Sequence, residues 1–286
     1  MISPAGPDDT PPTTGDDRGD GETQNPGEPR VTVNRDGHVL LIGLNRAAKR
    51  NAADFQLLTE LALAYGVLHR DPALRAGLVF AHGDHFTAGL DLADIAPRIG
   101  PRGIELVPTG GIDPWGLSGE RQSKPVVIAV QGTCLTLGIE LILASDIAVA
   151  AASTRFGQIE VSRGILPFGG ATIRLPRAIG WGNAMRWILT GDSFDAPEAY
   201  RSGLVQELVA DGEQYRRGLA IAQQIAAQAP LAVQAALASA HRAVAEGDAA
   251  ASASLQNTLV RLLASEDAAI GMTAFLTRER AEFVGR

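Results

Sequence analysis

Cysteine is almost missing from this chain: among 286 residues only Cys134 carries a thiol. One cysteine excludes an internal disulfide framework and any multi-cysteine metal site. Long apolar runs are missing as well, since no stretch approaches the roughly 20 consecutive apolar residues that span a bilayer. No basic segment followed by an apolar core opens the chain, so no secretory signal is read and a cytoplasmic setting is the expectation. Charge of one sign is scarce outside a single segment. The formal net charge is −7, but residues 1–29 hold seven acidic residues (Asp8, Asp9, Asp16, Asp17, Asp20, Glu22 and Glu28) against Arg18, which leaves −1 for the rest. A nearly neutral body has no charge footprint for nucleic acid or for an anionic membrane, and neither is expected as a partner.

What is present divides the chain into three parts. Residues 1–29, rich in Pro, Gly, Asp and Thr, have almost nothing to bury and read as a disordered tail. Residues 30–210 alternate strand and helix patterns, which argues for an α/β core. Val31-Thr32-Val33 and Val39 to Ile42 flank Arg35-Asp36-Gly37, the pattern of a hairpin with an Asp-Gly turn. Phe55, Leu58, Leu61, Ala62, Tyr65 and Leu68 form a helical stripe that stops before Pro72. Gly77 to Phe80, Val126 to Val130 and Ile147 to Ala151 read as buried strands, and Ile139 to Ala144 as a helix. Residues 92–124, with four prolines and no periodicity, read as a long functional loop. Residues 211–286 read as a helical module with segments over 219–229, 231–246, 250–265 and 268–283.

Three segments concentrate candidate chemistry. His85-Phe86-Thr87-Ala88-Gly89-Leu90-Asp91 follows a strand. Gln131 to Glu140 leads from a strand into a helix, and Phe156-Gly157-Gln158-Ile159-Glu160 follows the next strand. Glu140 interrupts the apolar run Leu137 to Ala144. A buried carboxylate is costly unless paired or protonated, and burial moves its pKa toward neutrality. Spacing alone leaves a buried acid and a half-exposed helix face equally open.

Taken in order, these segments resemble the enoyl-CoA hydratase/isomerase (crotonase) superfamily. Lys49-Arg50-Asn51-Ala52, Ser123 to Val127, Ala144-Ser145-Asp146-Ile147, Thr190-Gly191-Asp192 and Ala199 to Val205 extend the likeness from about Val31 to Phe283. The resemblance implies an α/β crotonase fold, a spiral of ββα units with a helical C-terminal trimerisation module, as a homotrimer or a dimer of trimers. It implies an acyl-CoA thioester as substrate in fatty acid metabolism, with no cofactor and no metal. It places the oxyanion-hole amides at Ala88 and Leu137 and the catalytic acids at Glu140 (base on water) and Glu160 (proton donor to the α-carbon). CoA and substrate contacts are expected at Lys49, Arg50, Ala52, Ala88, Gly89, Leu90, Asp91, Leu92 and Gly138, with Trp115 at the acyl tunnel or as a loop anchor. Arg278 or Arg280 would reach a phosphate. Glutamates at both acid positions favour reversible hydration of a trans-2-enoyl-CoA. A double-bond isomerase, a thioester hydrolase and a non-catalytic acyl-CoA-binding protein are the alternatives.

The sequence departs from the family pattern in three places. Leu135-Thr136-Leu137-Gly138 replaces a glycine-rich run, Gln158-Ile159-Glu160 replaces Gln-Pro-Glu, and 92–124 carries an unusual Asp113-Pro114-Trp115-Gly116. Several other residues have plainer readings. His82 and His85 read as solvated loop histidines, Cys134 as buried filler, and Asp91 as a loop anchor. Asp113 is a possible extra acid, and Trp181 and Trp187 read as core or subunit contacts.

Overall fold

The computed structural model describes residues 28–101 and 103–286, so the tail 1–29 lies outside the described residues save for its last two. Val31–Asp36 (β1) and Val39–Leu44 (β2) pair antiparallel with Asp36 opposite Val39. The turn is therefore Gly37-His38, one residue later than the Asp-Gly reading. Gly37 takes φ +55 there, which the absence of a Cβ makes cheap. Phe55–Arg70 (α1) starts where the Asp54 carboxylate accepts the Leu57 amide at 2.8 Å, an N-cap that serves one of the orphan donors.

The remaining strands are Ala76–Ala81 (β3), Val126–Val130 (β4), Thr133–Leu135 (β5), Ile147–Ala151 (β6), Arg155–Gly157 (β7), Ser193–Asp195 (β8) and Glu207–Val209 (β9). They form a six-stranded sheet of order β1-β2-β3-β4-β6-β9, parallel after the first hairpin, and a small sheet of order β5-β7-β8. Every residue of β4 is buried, as expected for a parallel strand covered on both faces. One face packs on α1 through Leu57, Leu61 and Leu68, within a single large core. The other is closed by Gln214–Ala226 (α7) through Ile221, Ala222 and Ala226.

The helices between are Leu92–Ile95 (α2), Leu137–Ala144 (α3), Ala171–Ile179 (α4), Trp181–Thr190 (α5) and Ala196–Ser202 (α6). The chain thus repeats one device. β4 enters the large sheet, β5 the small one, and α3 follows; β6, β7 and α4 do the same. The unit before them is abbreviated: after β3 only Thr87 joins the small sheet, by a parallel bridge to Cys134, and α2 follows. This is the spiral of ββα units that the family resemblance implies.

Pro230–Glu246 (α8), Asp248–Leu263 (α9) and Glu266–Thr277 (α10) complete the chain. The last helix ends six residues short of the expected 283. Arg278 turns left-handed at φ 60 and the chain folds back, so that the Val284 and Gly285 amides donate to the buried Asp267 carboxylate at 2.7 and 3.1 Å. A buried carboxylate that needs donors overrides helix periodicity there. Among the described residues no helix is long and apolar enough to cross a membrane.

Candidate active site

Two loops leave the small sheet side by side because Thr87 and β5 are adjacent parallel segments. The Thr87 amide donates to Thr133 O and the Leu135 amide to Thr87 O, both at 3.0 Å. Beyond Thr87 the chain is pinned at several points. Thr87 Oγ1 donates to Asn51 O at 2.7 Å and accepts the Gly89 amide at 3.1 Å. Buried Asn51 donates to His82 O and His85 O at 2.9 and 2.8 Å. Asp91 accepts Arg46 Nη1 at 2.7 Å, so it anchors the loop. The Ala88 amide does not stand open as an oxyanion donor: it donates to Arg50 O at 2.8 Å. The cause lies in Arg50 and Asn51, whose left-handed φ of 50 and 52 bends the Arg50 carbonyl back over the loop.

The second loop ends at Thr136, with φ 49 and ψ −113, before α3 begins. Its own amide donates to Gly157 O at 2.9 Å. The Leu137 amide, first of the helix, has no backbone acceptor among the described residues, as is normal for an N-terminal turn. The α3 dipole favours negative charge at this point. Trp115 is buried, and its Nε1 donates to Leu137 O at 3.1 Å, clamping this residue from the loop side. Gly138 has no alternative: a Cβ there would meet Thr87 Cγ2 at 2.6 Å and Cys134 Sγ at 3.0 Å.

The two glutamates occupy opposed environments. Glu140, one helical turn into α3, is 3% exposed. Burial lifts its carboxyl above the usual range, and the Ala171, Gly169 and Gly170 amides and the Arg174 charge oppose part of that rise. Ala171 N donates to Glu140 Oε1 at 3.1 Å. A Cβ on Gly169 would lie 2.3 Å from Glu140 Oε2, so only glycine lets the start of α4 cradle the carboxylate. Glu160 opens the short turn Glu160–Arg163 and is 6% exposed, with Oε2 buried and unpartnered among the described residues. Burial, helped by the Glu140 charge, pushes its carboxyl up to about 7. Burial thus raises both carboxyls, with amide donors opposing the rise at Glu140 and no partner at Oε2 of Glu160 among the described residues.

Both face a cavity of about 570 Å³, together with Ala88, Leu90, Leu92, Trp115, Thr136 and Leu137. Loop 92–124 builds one wall with Ile104, Leu106, Val107 and Leu117, and Ile159, Ile165 and Phe168 close the other. Lys49, Arg50, Ala52, Arg278 and Arg280 do not line this cavity; the four cations are exposed. Asp113 borders the cavity but is spent on the loop, accepting the amides of Trp115, Leu117 and Ser118 at 2.9 Å. His82 and His85 are not simply solvated: His82 Nε2 bonds Thr32 Oγ1 at 2.8 Å and His85 Nδ1 accepts the Thr133 amide at 3.1 Å. Cys134 is fully buried, and burial pushes its thiol up and away from reactivity. Trp187 stacks on Phe194 in the core with ring centroids 4.6 Å apart, whereas Trp181 is 71% exposed. Among the described residues no cluster of three His, Cys, Asp or Glu could hold a metal.

Sequence reasoning missed the cradle at Gly169-Gly170-Ala171, although paired glycines before a helix are its visible signal. It also missed the Trp115 indole bond, for which no sequence signal exists.

Two buried carboxyls raised toward neutrality on one cavity, beside an amide with no backbone acceptor among the described residues, define a class: acid–base enzymes working next to a carbonyl group. The chain belongs to the enoyl-CoA hydratase/isomerase family, whose model matches residues 34–286. It is similar to a crystal structure of a "probable enoyl-CoA hydratase/isomerase" from Mycobacterium abscessus, with 57% identity, TM-score 0.87, and coverage of 90% of this chain and 99% of that one. It is also similar to an enoyl-CoA hydratase of Mycobacterium tuberculosis, EchA19, 31% identical over 90% of this chain and 97% of the relative. A 2,3-dehydroadipyl-CoA hydratase of Escherichia coli is 32% identical over 90% and 99%.

Proposed function

We propose that this protein adds water reversibly across the double bond of a trans-2-enoyl-CoA. The observation that carries the reading is the pair of buried glutamates on one cavity, both raised by burial, Glu140 cradled by amides and Glu160 pushed up to about 7. Glu140 takes a proton from water as its oxygen bonds to the β-carbon, and the π electrons shift onto the thioester oxygen. The Leu137 amide stabilises that oxyanion, and Glu160 delivers its proton to the α-carbon as the carbonyl re-forms. The proton on Glu140 then leaves and Glu160 regains one, both by exchange with solvent. Each proton transfer of this kind is worth about 10²–10⁴ in rate.

The nucleotide end of CoA is assigned to Lys49, Arg50 and Ala52 at the rim beside the Ala88 loop, with Arg278 or Arg280 as a phosphate contact. No cofactor or metal enters the reaction. Domain limits of 30–210 and 211–286 are retained. The helical module is assigned to trimer contacts, supported by the exposed stripe Leu255, Leu259 and Leu263 on α9 and by Phe275 and Leu276 on α10. The setting is taken as cytoplasmic.

The test is the loss of enoyl-thioester absorbance over a series of trans-2-enoyl-CoAs, with Glu140→Gln and Glu160→Gln alongside. Formation of 3-hydroxyacyl-CoA that collapses in both variants supports the reading. Absence of hydration at every chain length with wild-type protein rejects it.

A further inference from the structure

Arg174, one turn into α4, is half-buried and only partly used by hydrogen bonding. Its Nη2 donates to Gly116 O of the 92–124 loop at 3.2 Å, whereas Nη1 is buried and has no partner among the described residues. A charged donor left in this state costs more than a neutral one. A second arginine stands beside it: a Cβ on Gly116 would lie 3.8 Å from both Arg174 Nη2 and Arg121 Nε. Like charges this close call for compensation by nearby anions. Arg174 does not line the cavity of Glu140 and Glu160, so it does not touch the acyl group.

The compensation comes from two directions, from Asp113 on the loop and from Glu140 on α3. Gly169 and Gly170 bring the second pair together. A Cβ on Gly169 would lie 2.3 Å from Glu140 Oε2, and one on Gly170 would lie 3.0 Å from Arg174 Nη1. Consecutive glycines thus clear space for the carboxylate and the guanidinium at a single point of the backbone. The two side chains exchange no hydrogen bond, and their attraction acts through space. The other charges around the pair are Glu160, which faces Glu140, and Arg121, Arg177 of α4 and His241 of α8, which face Arg174.

We infer that Arg174 is the positioning residue of the base: tied to Gly116 O of the loop, its guanidinium supplies the positive charge against which the Glu140 carboxylate stands ready to take a proton from water. The inference rests on the proposed hydration and names a further residue of that site. Burial alone works against an ionised Glu140, and a nearby cation favours that form. Because Arg174 acts through Glu140 and not on the acyl group, its loss falls on kcat, at the acid side of the pH profile, more than on KM.

The experiment compares Arg174→Met and Arg174→Lys with wild type in the full chain, each also combined with Glu140→Gln. Two readouts are used: the pH profile of kcat for hydration of a trans-2-enoyl-CoA, and urea unfolding at several pH values. Arg174→Met keeps an apolar stem and removes the charge. Its acid limb should move to higher pH, lowering kcat there by about 10-fold, the effect of one nearby opposite charge on a carboxylate, with KM little changed. The alkaline limb, set by Glu160, should hold its place. Arg174→Lys keeps the charge and should restore the acid limb. In unfolding, a carboxyl raised in the folded state costs stability as pH rises, so Arg174→Met should lose stability against wild type increasingly with pH. That pH-dependent loss should vanish in the Glu140→Gln background, where no carboxyl remains to titrate. An acid limb unmoved in Arg174→Met, a limb moved equally in Arg174→Lys, or a pH-dependent loss that persists with Glu140→Gln overturns the inference. If wild type hydrates no enoyl-CoA, the hydratase reading falls on its own, and the unfolding cycle still decides whether Arg174 acts on Glu140.

Discussion

Glu160→Gln should destroy hydration and at the same time make the protein more stable, increasingly so as pH rises. The carboxyl is 6% exposed and is pushed from an ordinary 4.5 to about 7, by burial first and by the Glu140 charge second. Such a group binds its proton more tightly folded than unfolded. Its contribution is therefore neutral below about pH 4.5, turns against folding as pH rises, and levels off above about 7. At about 1.4 kcal/mol per pH unit, the full penalty approaches about 3 kcal/mol. Gln carries no charge at any pH and escapes it. Working the two titrations through, the stability gap in favour of Glu160→Gln should widen by about 2 kcal/mol between about pH 5.5 and 8.5. Urea unfolding of both proteins at several pH values measures this directly, with hydration followed in parallel. A gap that stays flat across that range, or that shrinks as pH rises, refutes the claim that Glu160 is held protonated by its surroundings. In turnover, hydration should fall as pH rises through about 7, because the proton destined for the α-carbon is lost.

Glu140→Gln should lower kcat by about 10²–10⁴, and by removing a neighbouring negative charge it should move the Glu160 limb of the pH–rate profile to lower pH; a limb that does not move means the two groups are not coupled. Gly169→Ala places a methyl only 2.3 Å from Glu140 Oε2 and should cost activity through a displaced carboxylate, read as a lower kcat with binding of a saturated acyl-CoA retained. Trp115→Phe removes the indole bond to Leu137 O, a neutral hydrogen bond worth about 1 kcal/mol, and should slow turnover by up to about 10-fold; unchanged kinetics would mean that α3 holds Leu137 without help. Asp91→Asn weakens the ion pair with Arg46 and should raise KM more than it lowers kcat, checked by steady-state kinetics on one enoyl-CoA.

Sequence patterning reached the elements whose residues report their own surroundings. The stripe Phe55, Leu58, Leu61, Ala62, Tyr65 and Leu68 identifies α1 because a 3.6-residue period has one buried face. The β4 strand reads directly because it is apolar on both faces. Where a structure is decided by distant partners, the chain gives less. The residues after Thr277 continue a helical pattern, yet they turn back because Asp267 needs amide donors seventeen and eighteen residues away. The Ala88 amide is a similar case: its position in the motif suggests an open donor, but a left-handed Arg50 places a carbonyl on it, and nothing in a string of residue types reports φ at a neighbouring loop.

The division of labour between the glutamates follows from the repeat itself. Each ββα unit ends its second strand in the small sheet and then starts a helix, so successive units deliver helix N-termini to one end of that sheet. Glu140 sits inside the helix of one unit, and the next unit brings the start of α4 against it, with Gly169-Gly170-Ala171 presenting amides to the carboxylate. Glu160 belongs to the connection between β7 and α4, before that helix begins, where no amide among the described residues serves Oε2. Amides at a helix N-terminus favour the ionised form of a carboxylate and oppose the effect of burial, whereas an apolar wall without donors favours the protonated form. Reversing the two roles would require moving a helix start by several residues rather than changing a single side chain. A fold built by repetition thereby gives two chemically identical groups on one cavity different hydrogen-bonding surroundings.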